Sequence, residues 1–401
     1  MPPRIENYHG REQSFIKHLF LNKYLEAAAY KLFQGRSPVF NFVDAFAGPW
    51  RVSDTNMYSD ASFSQAIETL ETVRKSLLEM GRPGLKVRFR FCERNPASVA
   101  KLQQFAAQKP EFDIKVFSGP FEDNLDGIRG ACRDGFTFTF IDPTGWNVES
   151  GKVFDFLRTL NGEFLFNFMA EEVNRHAGWD GVAESVGRFL ADPAWKAAFE
   201  ALPEASNETK ILQLLKAKMK EARVATYLTD MAIRKPREDR IKMRLILGTH
   251  SGFGVEVFRT VQEKVEKEAV RTRHAIQTEE SGQSQLFPED QIIAFETDRD
   301  GVGCSAHVSW ASELLRHTVS QRPGIAFSTL ASEVMEQVPV RTTHLNKIVA
   351  AIRKDGLLRF DLPSGKRTHG TATHGTAVHR SSVWRLLRDL GLTHKNRPAR
   401  G

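Results

Sequence analysis

Four short apolar runs, each ending in polar residues or glycine, constrain this chain most: Val39–Asp44, Val87–Glu93, Ile114–Gly119 and Phe136–Asp142. Each has the length of a strand, and helix-like segments separate most of them. Strands that alternate with helices build an open, mostly parallel α/β sheet, which places its ligand groups at the carboxyl ends of its strands. The first run continues through Asn41–Arg51 as Asn-Phe-Val-Asp-Ala-Phe-Ala-Gly-Pro-Trp-Arg. It puts an acid at a strand end, then a small residue and a glycine where backbone can pass close to a ligand.

The remaining pattern extends this layout. Ser14–Gln34 has helical apolar spacing and is closed by Gly35, Ser62–Met80 reads as a helix ended by Gly81, and Asn95-Pro96 opens another with proline in its favoured first turn. A helix near 153–160 precedes a fifth strand, Phe164–Phe168, and residues 180–222 read as one long helical stretch. Tyr227–Ile233 and Lys242–Gly248 then look like two strands joined by a charged loop. A late hairpin closing a parallel sheet is typical of class I methyltransferases and unusual in dinucleotide-binding dehydrogenases. Val255–Ile276 is a long charged helix, and the Glu-, Ser-, Gly- and Gln-rich stretch that follows reads as a linker over 278–304.

Beyond it the pattern changes. Trp310–Ser320, Ser328–Gln337 and Arg341–Lys354 read as three helices, followed by a strand from Gly356 and a basic turn, Pro363–Arg367. Three helices and a basic hairpin describe a winged helix-turn-helix. The expected organisation is therefore an α/β domain over 1–277, the linker, and a winged-helix domain with a basic tail over 305–401. His369, His374 and His379 recur every five residues, which suits neither one helix face nor one strand face and fits a wing tip better than a metal site.

Charge supports the division. The chain carries +7 overall, but residues 316–401 hold 15 Lys and Arg against 5 Asp and Glu, while the rest holds 41 against 44. The basic excess thus lies in the C-terminal fifth, as a module that meets nucleic-acid phosphate requires. Arg341 opens the third helix of that module. Leu345, Ile348, Val349 and Ile352 form its buried stripe, which leaves Arg341, His344, Asn346 and Lys347 to face outward and Lys366 and Arg367 to meet phosphate from the wing. At 401 residues two domains are expected. No apolar run reaches the roughly 18 residues of a membrane span. Cys92, Cys132 and Cys304 form neither a metal pattern nor a disulfide framework, and no export signal opens the chain, so a cytoplasmic location is expected.

Candidate chemistry sits at the strand ends. Asp44, Phe46 and Gly48 belong to the first turn, and Gly119 to the third. Glu93 ends the second strand, where an acid can accept from both ribose hydroxyls; the plainer reading pairs it with Arg90 or Arg94. Asp142-Pro143-Thr144-Gly145-Trp146 follows the fourth strand. An Asp-Pro there holds a carboxylate and a free carbonyl over the sheet edge, and an aromatic ring can stack on a planar substrate. Amino-group methyltransferases use such a cluster to orient the attacking amine at a sulfonium methyl, so Asp142, Pro143 and Trp146 are the candidate catalytic residues. A plain turn with Trp146 in the core is the alternative, and Asn167 could line the same cleft. There is no Pro-Cys nucleophile, no phosphate-binding Gly-Lys-Ser/Thr loop, no Gly-x-Ser-x-Gly elbow and no paired-His zinc motif.

These residues resemble the three-Cys-motif partner protein family, bacterial and phage-associated proteins with a class I S-adenosylmethionine-dependent methyltransferase-like fold. The matching pieces are the helix with Lys17 and Tyr24-Leu25, Val43–Pro49, Cys92-Glu93, Phe140–Pro143, Phe166–Phe168 with Asn174-Arg175, and Gly252–Phe258. The resemblance implies a Rossmann-type sheet, S-adenosylmethionine as cofactor, and a partner bearing three cysteines and similar to radical S-adenosylmethionine enzymes. Two positions depart from it. Trp50 stands where the family has glycine, and Pro120 follows Gly119 where the family has aspartate, leaving Glu122 or Asp123 as acceptors for the adenine amino group. The functional expectation is methyl transfer to an exocyclic amino group of a nucleic-acid base, DNA or RNA. The alternative is a non-catalytic nucleic-acid-binding or regulatory protein on a degenerate methyltransferase fold.

Overall fold

The computed structural model describes residues 3–33, 39–48, 52–82, 84–143, 145–176, 180–281, 287–361 and 377–380. The chain divides into two compact units, one of Met1–Ser251 with Arg271–Gln285 and one of Gly252–Val270 with Leu286–Gly401.

In chain order the first unit contains α1 (Glu12–Phe33), β1 (Val39–Asp44), α2 (Ser62–Glu79), β2 (Lys86–Glu93), α3 (Pro96–Ala107), β3 (Asp113–Ser118), α4 (Leu125–Ala131), β4 (Phe136–Ile141), α5 (Ser150–Arg158) and β5 (Gly162–Phe168). There follow α6 (Ala170–His176), α7 (Ala183–Leu190), α8 (Trp195–Ala201), α9 (Asn207–Glu221), β6 (Tyr227–Arg234) and β7 (Ile241–Thr249). Its sheet runs in the order β3-β2-β1-β4-β5-β7-β6. The first five strands are parallel, and β7 is antiparallel to both β5 and β6. This is the mostly parallel α/β sheet with a late hairpin that the sequence predicts, in the Rossmann-like methyltransferase arrangement.

Central strands of such a sheet are covered on both faces, and aromatic residues fill them here. The Phe42 ring lies 6.4 Å from Phe89 and 6.3 Å from Phe138, and all three are fully buried. Burying each such ring contributes about 1.5–3 kcal/mol. Helix α1 is pinned by Tyr24, whose hydroxyl donates to Glu163 Oε2 at 2.7 Å while Thr249 donates to Oε1 at 2.6 Å. The long helical stretch expected over 180–222 is three helices. Ala191 takes a left-handed φ of 53° after α7, and Pro193 and Pro203 stand in the two connections.

Helix α10 spans Gly252–Ser281 and is followed by α11 (Glu289–Asp300), so most of the expected 278–304 linker is helical and the units do not divide at 277. The polar composition concealed α11, which buries Ile293 alone among its residues. The second unit continues with α12 (Ser305–Gln321), β8 (Ile325–Ala326), α13 (Phe327–Gln337), α14 (Thr342–Lys354), β9 (Leu358–Asp361) and β10 (Ala377–Arg380). The three strands form an antiparallel sheet in the order β8-β10-β9. The segment between β9 and β10, with Lys366, Arg367, His369 and His374, lies outside the described residues, as does Trp50.

Candidate active site

The strand order reverses between β1 and β4, which leaves a crevice at the carboxyl ends of the parallel strands. A cleft of about 340 Å³ opens there, lined by Phe46, Glu93, Gly119 and Pro143 among others. The sequence-derived candidates from three strand ends and the turn after β1 therefore meet in one place. Gly48 ends the described part of that turn.

Asp44 is fully buried and does not line the cleft itself. Its Oδ2 accepts from Ser62 Oγ at 2.6 Å and its Oδ1 from the Phe46 amide at 3.2 Å, so it braces the turn that carries Phe46. Burial pushes its carboxyl up to about 7, against the opposing pull of the Ser62 and Phe46 hydrogen bonds. Glu93 is only 3% exposed, and its Oε1 accepts from the Asn95 amide at 2.6 Å. Arg90 does not pair with it, because its guanidinium binds Asp113 at 2.9 Å.

Gly119 adopts a φ of +110° and donates its N–H to Glu93 O at 2.9 Å, a backbone position that strains any side chain. Asn124 Nδ2 donates to Ser118 O at 3.1 Å and Pro120 O at 2.9 Å, which fixes the turn bearing Glu122 and Asp123. Among the described residues these two acids line the cleft with Glu93, Glu149 and Arg94, and Glu149 is paired with Lys152 at 2.7 Å. Cys92 is fully buried, its thiol donates to Gly119 O at 3.5 Å, and burial pushes it up to about 12.

After β4, the Pro143 carbonyl accepts from the Gly145 amide at 3.1 Å and keeps a second lone pair. Trp146 is half-buried and packs against the core, the plainer of the two readings. Asp142 is held on both sides: Lys17 Nζ donates to Oδ2, and Asn167 Nδ2 donates to Oδ1 at 2.6 Å. Lys17 stood only as one mark of the resemblance; the available signal was a lysine and a histidine inside the apolar run Phe15–Leu21. His18 is buried and lowered to about 3, chiefly by that burial and then by Lys17, and accepts or donates with the Tyr8 hydroxyl at 2.9 Å.

In the second unit, the first turn of α14 is engaged within the unit rather than facing outward. Arg341 is half-buried and donates from Nη1 to Glu263 Oε2 at 2.8 Å, and His344 Nδ1 accepts from the Arg341 amide at 3.1 Å. Asn346 is half-buried with its Oδ1 enclosed. Lys347 is exposed, in a stripe with Thr343, Ala351 and Lys354. The expected buried stripe of Leu345, Ile348, Val349 and Ile352 is present. Arg341 was misplaced because Glu263 on α10, distant in sequence, pairs with it, and His344 because its ring turns back to cap the first turn of α14.

No protein-family model and no curated protein matches this chain. Among solved structures, it is similar to a Legionella pneumophila protein of the DUF519 family at 12% identity, over 62% of this chain and 86% of that one, with a TM-score of 0.33. It is also similar to an O-methyltransferase from Bacillus cereus in complex with SAH at 11% identity, over 57% of this chain and 80% of that one, with a TM-score of 0.31. The O-methyltransferase TomG from Streptomyces achromogenes, in complex with SAM, matches at 11% identity over 57% and 78%, with a TM-score of 0.29. The fold is defined by the strand order of this chain rather than by these likenesses. No helix among the described residues is long and apolar enough to cross a membrane.

Proposed function

We propose that this chain is an S-adenosylmethionine-dependent methyltransferase that acts on an exocyclic amino group of a nucleic-acid base. The observation that carries this reading is the cleft at the strand-order reversal, where, among the described residues, Glu93, Glu122 and Asp123 face Arg94 while Glu149 is paired with Lys152 at 2.7 Å. An acid-lined crevice attracts a cationic sulfonium ligand and repels the pyrophosphate of a dinucleotide. S-adenosylmethionine supplies an electrophilic methyl group on that sulfonium. In this reading Glu93 accepts from the ribose hydroxyls and Glu122 or Asp123 from the adenine amino group, and the lining of the cleft by all three supports it. Phe46 offers an apolar wall, its ring 6.2 Å from Phe121. Asp142, next to the cleft-lining Pro143, is the acceptor for the amine protons, and a duplex base would be flipped to reach it.

Helices α12–α14 and the antiparallel strands β8–β10 support a winged-helix module, and the basic C-terminal fifth supports nucleic acid as its ligand. Membership of the three-Cys-motif partner family, and a radical S-adenosylmethionine-like partner, belong to the same proposal. The second reading, a regulatory protein on a degenerate methyltransferase fold, draws on the packed Trp146.

Calorimetric titration of the full chain with S-adenosylmethionine and its demethylated product tests the cofactor. Glu93→Ala should weaken binding by about 1–3 kcal/mol, the loss of a buried, hydrogen-bonding carboxylate. Nucleoside mass spectrometry on cells expressing wild type or Asp142→Ala then separates the readings. A methylated base present only with wild type supports the enzyme; cofactor binding with no methylated base favours the regulatory protein, and no cofactor binding removes the first reading altogether.

A further inference from the structure

We propose that Lys17 is a positioning residue of the methyl-transfer site, acting with Asn167 to fix the direction of the Asp142 carboxylate. This rests on the methyltransferase reading above and extends it to a residue outside the strand-end motifs. Lysines are rarely buried, yet the Lys17 side chain is 9% exposed and that of Asp142 only 21%. A buried ion pair contributes little net stability compared with apolar residues of similar size, so stability alone is a weak reason to keep one here. Geometry supplies a better reason. Lys17 Nζ engages Oδ2 and Asn167 Nδ2 engages Oδ1, so rotation of the carboxylate breaks one of the two bonds. Each oxygen retains acceptor capacity for an incoming amine.

The fold sets Lys17 in place from a distance. Tyr24 lies two helical turns further along α1 on the same face, and Glu163 and Thr249 anchor it near the opposite edge of the sheet. Anchored there, α1 delivers the Lys17 ammonium to the carboxyl end of β4. His18, lowered to about 3 by burial, adds no competing charge at neutral pH. Asp44 is the other acid near this pair. In the transfer itself, the amine nitrogen bonds to the methyl carbon as the carbon–sulfur bond breaks and its electron pair leaves with sulfur. The nitrogen then gives up one proton to Asp142. A carboxylate turned away can neither orient the lone pair before this step nor take the proton after it.

The test uses the full chain with methyl-tritiated S-adenosylmethionine and total cellular DNA and RNA as acceptors, with cofactor affinity measured separately. Lys17→Met should lower kcat about 100-fold, the scale of a misplaced catalytic group, while the KM for S-adenosylmethionine changes less than about twofold. Lys17→Arg, which restores a cation, should recover most of that loss. Lys17→Gln, whose neutral amide can still donate, should fall between them and keeps the test open if the unpaired carboxylate of Lys17→Met prevents folding. Wild-type kcat in Lys17→Met or Lys17→Gln overturns the assignment, and so does an equal loss of kcat and cofactor affinity. If wild type transfers no label to either acceptor, the methyltransferase reading fails and this role fails with it.

Discussion

Asp44 has no exposed surface, and both its oxygens accept hydrogen bonds from the chain itself. Its raised carboxyl has a thermodynamic consequence. Because burial puts the folded value near 7 against an ordinary 3.8, the folded state binds more protons between those limits than the unfolded state does. The stability contribution is therefore present below about 4 and is lost as pH rises through about 7. Glu266, also pushed up to about 7 by burial, acts with the same sign, so the informative comparison is with Asp44→Asn. That variant should remove on the order of 2–4 kcal/mol of the wild-type decline between pH 4.5 and 8, read from urea midpoints at the two pH values. A decline equal to wild type would show that Asp44 is not held protonated. At this scale Asp44, Glu93 and Asp142 were legible because each sits at or beside the end of an apolar run. Lys17 was not, since only the packing of α1 across the sheet brings it to Asp142.

Helices and strands were legible where burial follows a period. Val39–Asp44 matches its expected bounds and β4, Phe136–Ile141, fills the run Phe136–Asp142 to within one residue, because continuous apolar runs of that length fit buried parallel strands. Helix α11 was missed for the opposite reason, whereas the engagement of Arg341 at the start of α14 was missed because its partner Glu263 is distant in sequence. Glu256 on α10 accepts from both the amide and the hydroxyl of Thr342, at 2.9 and 2.5 Å, and so caps the first turn of α14 with a carboxylate. An acid at a helix N-terminus satisfies an otherwise orphaned amide and complements the helix dipole. Glu256→Ala should therefore destabilise the second unit by about 1 kcal/mol, whereas exposed Thr343→Ala should change little. Denaturant titration followed by circular dichroism measures both, and equal midpoints for the two variants would mean the cap contributes nothing.

Across the whole chain, the two-part organisation was legible from charge and pattern, but its boundary was not. Residues 252–270 belong to the second unit, where the fully buried Arg259 donates to the carbonyls of Met335 at 2.8 Å and Glu336 at 3.1 Å and closes the end of α13. A fragment beginning at 305 would lack that arginine as well as Glu256 and Glu263, so nucleic-acid binding is best measured on the full chain. If the second unit meets phosphate as proposed, affinity for a duplex DNA probe should fall with salt at a log–log slope of about −0.9 per phosphate contact. Lys347→Ala, on the exposed stripe of α14, should flatten that slope by about one. Arg341→Ala should leave it nearly unchanged, because that guanidinium is already bound to Glu263 at 2.8 Å and is not available to DNA. The reverse result, with Arg341 governing the slope and Lys347 silent, would mean that α14 meets nucleic acid through its N-terminal turn after releasing the acids of α10.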